Sequence, residues 1–182
     1  MRTIFLVLAA LFAMTSAVGA GSDPPDKNWV YLMLNCTGNP CVIKENHGGL
    51  IARYELAAKQ ILAKDLELVV DGPCDSSCVI AVSKARKNAC LTEKAQMGIH
   101  QGADEIVYDK EGKAIDPFAD DLSLDMFMHP REGFRVELIR FVDIDYGDDI
   151  NTWAKANGKM PASKKTYVMT REEALQFWRP CT

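Results

Sequence analysis

Three short segments carry the residue types that acyl-transfer chemistry needs. The first is His47-Gly48-Gly49-Leu50, between an extended segment and the start of an amphipathic stretch. Paired glycines at such a junction let the chain turn tightly and leave backbone N–H groups free, as an oxyanion-binding site requires. The second is Asp71-Gly72-Pro73-Cys74-Asp75-Ser76-Ser77-Cys78, between an apolar run and a helix-forming segment. A serine at a strand-to-helix junction presents its hydroxyl beside a helix N-terminus, where developing negative charge is stabilised. Serine is also a common helix N-cap, which is the structural alternative. The third is Met97-Gly98-Ile99-His100, which puts an imidazole at the end of an apolar strand. Ser76 and His100 are 24 residues apart, enough to go out along a helix and return along a strand. A hydroxyl activated by a neighbouring imidazole is a standard nucleophile of acyl transfer near neutral pH.

The elements that must position these groups follow from periodicity. Residues 29–34 (WVYLML) are strongly apolar and predict a strand, with Val42-Ile43 continuing a second. Residues 50–64 predict an amphipathic helix, because Ile51, Tyr54, Ala58, Ile61 and Leu62 recur at helical spacing. Residues 66–70 (LELVV) predict a buried strand, 76–84 a helix and 96–100 a short strand. Strands alternating with helices in this order predict an α/β fold with crossover units. Residues 104–121 are polar and acidic and predict a surface excursion. Phe134, Leu138 and Phe141 predict a helix over 134–141, and a further helix is expected over 149–156. Tyr167-Val168-Met169 predicts a strand, and Thr170 with Glu173 three residues on predicts a capping box.

The order of these segments resembles the Clp protease/crotonase-like superfamily, in particular the proteolytic subunit of Clp protease and its exported bacterial relatives. The matching residues are Gly48-Gly49, the G-x-x-x-S element from Gly72 to Ser76, and Met97-Gly98-Ile99-His100 followed by Gln101. The likeness covers residues 29–101 and returns at Tyr167-Val168-Met169-Thr170 with Glu173-Ala174. It implies a spiral of strand–helix units in a single domain. It also implies Ser76 as nucleophile, His100 as general base, and the N–H groups of Gly49 and Ser77 as oxyanion donors. Ser77 is a rival nucleophile but fits the family spacing less well. The family's acid has no counterpart here. Alignment on Glu173-Ala174 puts Thr166 at that position, and no acid falls between Asp149 and Glu172. Asp148 and Asp149 are then the candidate acids. Two expectations follow: a serine hydrolase, a peptidase among its candidate activities, or a catalytically silent binding protein that keeps the scaffold without the acid. Relatives assemble into rings and trimers, so a homo-oligomer is among the expected partners, beside a peptide or small acyl substrate.

Composition bounds the setting. The chain has 182 residues, 48% of them apolar and 25% charged, which fits a globular domain. A formal charge of -4 argues against nucleic-acid binding, which needs a basic footprint. Arg2, the apolar run from Ile4 to Met14 and Val18-Gly19-Ala20 follow the order of a secretory signal peptide, with an uncleaved N-terminal anchor as the competing reading. Cleavage after Ala20 leaves 162 residues as the expected domain, 21–182. No second apolar stretch is long enough for a membrane span after cleavage. Cys36, Cys41, Cys74, Cys78, Cys90 and Cys181 all lie in that part, and an even count in an exported chain predicts disulfides. Six cysteines allow fifteen pairings. The preferred set is Cys36 with Cys41 as a local turn, Cys78 with Cys90, and Cys74 with Cys181. Zinc is disfavoured by the Cys74-x-x-x-Cys78 spacing, and Asp116, Asp120, Asp121 and Asp125 lack the framework of a calcium loop. No cofactor and no metal are expected, and the expected location is periplasmic or extracellular.

Overall fold

The computed structural model describes residues 28–117, 119, 121–162 and 165–182. The expected signal segment at 1–20 and the lead-in at 21–27 lie outside the described residues. The fold is mixed α/β, with parallel and antiparallel pairing. Strands β1 (Cys41–Ile43), β2 (Leu68–Val70), β4 (Ala89–Leu91) and β9 (Arg179–Pro180) form one sheet in that order, every pair parallel. Strands β3 (Pro73–Asp75) and β5 (Gln96–Ile99) pair in parallel in a second sheet, and β8 (Tyr167–Val168) joins β5 antiparallel. Between β1 and β2 runs helix α2 (Ile51–Lys64); between β3 and β4 runs helix α3 (Ser77–Lys84).

The chain steps from the first sheet to the second directly after β2. Gly72 makes this step possible, since a methyl group there would strike the backbone carbonyl of Lys44. Every residue of α3 from Ser77 to Ser83 is buried. Its apolar side chains Val79, Ile80 and Val82 are fully enclosed, each contributing roughly 1.5–3 kcal/mol. This places Ser76, at the head of α3, on a part of the molecule that has little room to move.

Two expected elements differ. Residues Trp29–Leu34 form a helix, α1, not a strand. Tyr31 and Leu32 are consecutive and both exposed, whereas Trp29, Val30 and Leu34 are buried. A strand would alternate, and only a helix puts adjacent residues on one side. The apolar face of α1 packs against α2, and the Arg53 guanidinium lies 4.6 Å over the Trp29 ring. Conversely, residues Arg135–Val142 form strand β7, not a helix. It pairs antiparallel with β6 (Gly102–Tyr108), which occupies part of the expected surface excursion. Val136, Ile139 and Val142 are β-branched and suit the extended state. Helix α4 (Asp121–Met128) precedes β7. Helix α5 (Asp148–Ala156) forms as expected, and Thr170 caps α6 (Arg171–Ala174) with both bonds of the capping box.

All six cysteines are paired, which fits a chain that folds in an oxidising, exported compartment. Cys36–Cys41 is as expected. The pairs Cys78–Cys90 and Cys74–Cys181 are overturned: the structure joins Cys74 to Cys78 and Cys90 to Cys181. The reason is register, because Cys90 stands opposite Arg179 and the amide of Cys181 donates to the carbonyl of Leu91. By loop-closure entropy Cys90–Cys181 contributes between about 4 and 5 kcal/mol and Cys74–Cys78 only about 2. No helix among the described residues is long and apolar enough to cross a membrane.

Candidate functional site

β3 ends at Asp75 and α3 begins at Ser77, so Ser76 alone makes the turn. It does so at φ 55° and ψ -127°, a conformation that costs a non-glycine residue about 1–3 kcal/mol. The other non-glycine residues with positive φ among the described residues, Asn35 and Asp65, are ordinary left-handed helix caps of types that tolerate it. The Ser76 turn is held from several directions. Its amide donates to the carbonyl of Gly98 on β5 at 2.8 Å. Gly48 sits on its outer side: a methyl group there would lie 2.7 Å from Ser76 Cβ and 2.8 Å from the Ser77 nitrogen. No larger residue lets the glycine loop approach so closely.

Asn46 builds that loop. Its backbone N–H donates to the Pro73 carbonyl and its carbonyl accepts from the Asp75 amide, both at 2.8 Å. Its side-chain oxygen accepts from the Gly48 amide at 3.0 Å and from the Tyr54 hydroxyl at 2.8 Å. Burial pushes the Tyr54 phenol up to about 12, against the opposing hydrogen bond to Asn46, so it stays a donor. The Ser77 hydroxyl is buried and donates to the Gly49 carbonyl at 2.6 Å. Ser77 is therefore committed to holding the loop and offers no free hydroxyl. The amides of Gly49 and Ser77 donate to no acceptor among the described residues.

Ser76, His100, Gly49, Ser77, His47, Asp75 and Thr166 all line one cavity of about 680 Å³. Leu50, Ile51, Phe127, Met128 and Ile144 give it an apolar side, and Asp104 and Glu105 stand among its polar lining. His100 lies one residue past the end of β5. The Tyr146 hydroxyl accepts from the His100 amide at 3.2 Å and donates to its carbonyl at 2.9 Å. Tyr146 is fully buried, and that burial pushes its phenol pKa up. The ring Nδ1 of His100 is 2.5 Å from the Gln101 carbonyl oxygen. A carbonyl can only accept, so Nδ1 carries a hydrogen, and in that tautomer Nε2 is the ring's acceptor. Gln101 is itself held: its amide donates to the Pro161 carbonyl at 3.1 Å and its side chain to Asp143 at 2.8 Å. Lys155 first, then Gln101, hold the Asp143 carboxyl below its ordinary pKa.

The cavity brings together Ser76, His100, Gly49 and Ser77, but no hydrogen bond joins Ser76 to His100 among the described residues. Asp148 and Asp149 are not brought to it. Asp149 pairs with Arg86, which lowers its pKa, and Asp148 is exposed at the start of α5. Both sit at the N-terminus of α5, where their charge suits the helix. Instead the carboxylate adjoining the turn is Asp75, which accepts no hydrogen bond from His100 among the described residues. Its Oδ2 is 2.8 Å from His47 Nδ1, and Glu45 is 3.1 Å from His47 Nε2. Asp75 first, then Glu45, raise the His47 pKa. Tyr54 is legible in the sequence only as part of a helical face and Asp75 only as part of the second segment, while Asn46 and Tyr146 carry no signal, because the roles of all four depend on contacts across the fold. Disulfide bonding removes Cys74 and Cys78 as metal ligands. No three His, Cys, Asp or Glu side chains among the described residues are placed to hold a metal ion. Comparison with protein-family models, with curated proteins and with solved structures finds no match to this chain.

Proposed function

We propose that the protein is an exported serine hydrolase, acting on a peptide or small acyl substrate in the periplasm or extracellular space, on a Clp/crotonase-like spiral. The observation that carries this reading is Ser76 itself: a non-glycine residue at φ 55° on a strand-to-helix turn that faces a cavity beside unused amides. Strained backbone of this kind clusters at functional sites, because packing must hold it in place. In the proposed reaction His100 Nε2 takes the proton of the Ser76 hydroxyl as its oxygen bonds to the substrate carbonyl carbon. The carbonyl π electrons move to oxygen, and the Gly49 and Ser77 amides receive that charge. The tetrahedral species then expels the leaving group, which takes the proton from His100. Water repeats the sequence on the acyl-enzyme, releasing acid and free Ser76. The Gln101 carbonyl keeps the ring in the required tautomer, a task for which a carboxylate would add imidazolium stabilisation. Apolar acyl side chains suit the wall formed by Leu50, Phe127 and Met128.

A fluorophosphonate probe tests this on oxidised protein. Labelling that disappears in Ser76→Ala supports the hydrolase. A second reading, a catalytically silent binding protein, is favoured by the lack of a Ser76–His100 hydrogen bond and of an acid on His100. Folded, fully oxidised protein that does not label decides for it.

A further inference from the structure

Cys74 and Cys78 stand two residues before and two residues after Ser76, and both are fully buried. Their Cα atoms are 5.4 Å apart. Four residues of extended chain span about 13 Å, so the bond excludes an extended path through Asp75, Ser76 and Ser77, and with Asp75 in a strand the chain must fold back directly after it. The reversal falls on Ser76, whose neighbours are already committed: Asp75 to β3 and Ser77 to the first turn of α3. A loop this short removes little chain entropy from the unfolded state compared with Cys90–Cys181, so its main effect is local. We propose that the Cys74–Cys78 disulfide is a positioning device for Ser76: it enforces the positive-φ turn that presents the hydroxyl, so the site is assembled only in oxidised protein. The inference rests on Ser76 as the nucleophile, yet its conformational part stands apart from activity.

Two measurements on the full chain decide it. The first compares Cys74→Ala/Cys78→Ala with Cys36→Ala/Cys41→Ala, a short disulfide away from the turn. At a temperature where both are folded, the first pair lowers the maximal fluorophosphonate labelling rate at least tenfold, with the half-saturating probe concentration little changed. The second pair labels at the wild-type rate. Wild-type labelling by the Cys74→Ala/Cys78→Ala protein overturns the proposal. Should that variant not fold, graded reduction of the wild-type chain replaces it. Labelling then falls in step with opening of Cys74–Cys78, followed by mass mapping, while circular dichroism is unchanged; loss only with unfolding overturns it. The second measurement needs no activity. Ser76→Gly relieves the strained φ and raises the melting midpoint by about 2–4 °C in the oxidised protein. Without Cys74–Cys78 the turn can relax, and the gain is at most half as large. Equal gains in both backgrounds refute the positioning role. If the oxidised wild type fails to label, the hydrolase reading falls, and this coupling still decides the disulfide's part.

Discussion

The two walls of the cavity are built by different means. On the Ser76 wall the turn is tied by a disulfide, wedged by Gly48, bonded to β5 and backed by a buried helix. On the His100 wall the imidazole rests on a chain of hydrogen bonds, between Tyr146 and the His100 backbone and from the ring to the Gln101 carbonyl. The first wall is held by a covalent bond and by steric contacts, which side-chain rotation does not exchange. The second is held by bonds that side-chain rotation can exchange. For the proposed reaction the difference puts the limit on His100 rather than on Ser76: Ser76 sits on a constrained turn, while His100 makes no hydrogen bond to it among the described residues and has no carboxylate on its ring. Asp75, the acid nearest at hand, serves the glycine loop through His47 instead.

The sharpest break of this contrast is His100→Ala. On the proposed mechanism it lowers the fluorophosphonate labelling rate by about 10²–10⁴ without a matching loss of melting temperature. An unchanged rate would remove His100 from the reaction. On the other wall, Gly48→Ala adds a methyl at φ +81° against Ser76 and the Ser77 amide. It should destabilise the protein by about 2–5 kcal/mol, measured by denaturant unfolding. Near-wild-type stability would mean that the wedge is not tight.

A gain of function sharpens the comparison further. Thr166 lines the cavity and touches the space beside Gly98 on the strand leading to His100. On the proposed mechanism Thr166→Asp would add a carboxylate on that side of the cavity, and labelling should rise about tenfold, a part of what a triad acid contributes. No rise, with folding intact, would place the limit elsewhere than on the absent acid. The smallest effect concerns His47, whose folded pKa is raised above its ordinary value. Its contribution to stability is fully present below about pH 6.5, the unfolded value, and fades as pH rises through the folded pKa. The stability difference between wild type and His47→Gln should therefore be larger at pH 5.5 than at pH 8. It will be modest, because His47 is exposed. A difference that grows with pH would contradict the pairing with Asp75 and Glu45.

Local patterns were legible wherever one periodicity had no competitor. The spacing of Ile51, Tyr54, Ala58 and Ile61 admits only a helix, and Thr170 with Glu173 is a self-contained cap. Residues 29–34 and 134–141 were not legible, because their apolar residues satisfy both repeats. The partner decided: α2 offered the first a helical groove, and β6 offered the second a ladder of backbone groups. The disulfide pairing was hidden for the same reason, since fifteen combinations share one sequence and only the β4–β9 register brings Cys181 to Cys90.

By itself, then, the order of residues settled which side-chain types are present that could do acyl-transfer chemistry. Gly48-Gly49, Ser76 and His100 are readable because glycine, hydroxyl and imidazole have properties that no neighbour confers. The fold alone decided which of them meet, which acid each imidazole touches, and that Ser76 carries the positive φ. Those outcomes depend on contacts between residues far apart in the chain, and such contacts exist only once strands have chosen partners and the core has closed around them.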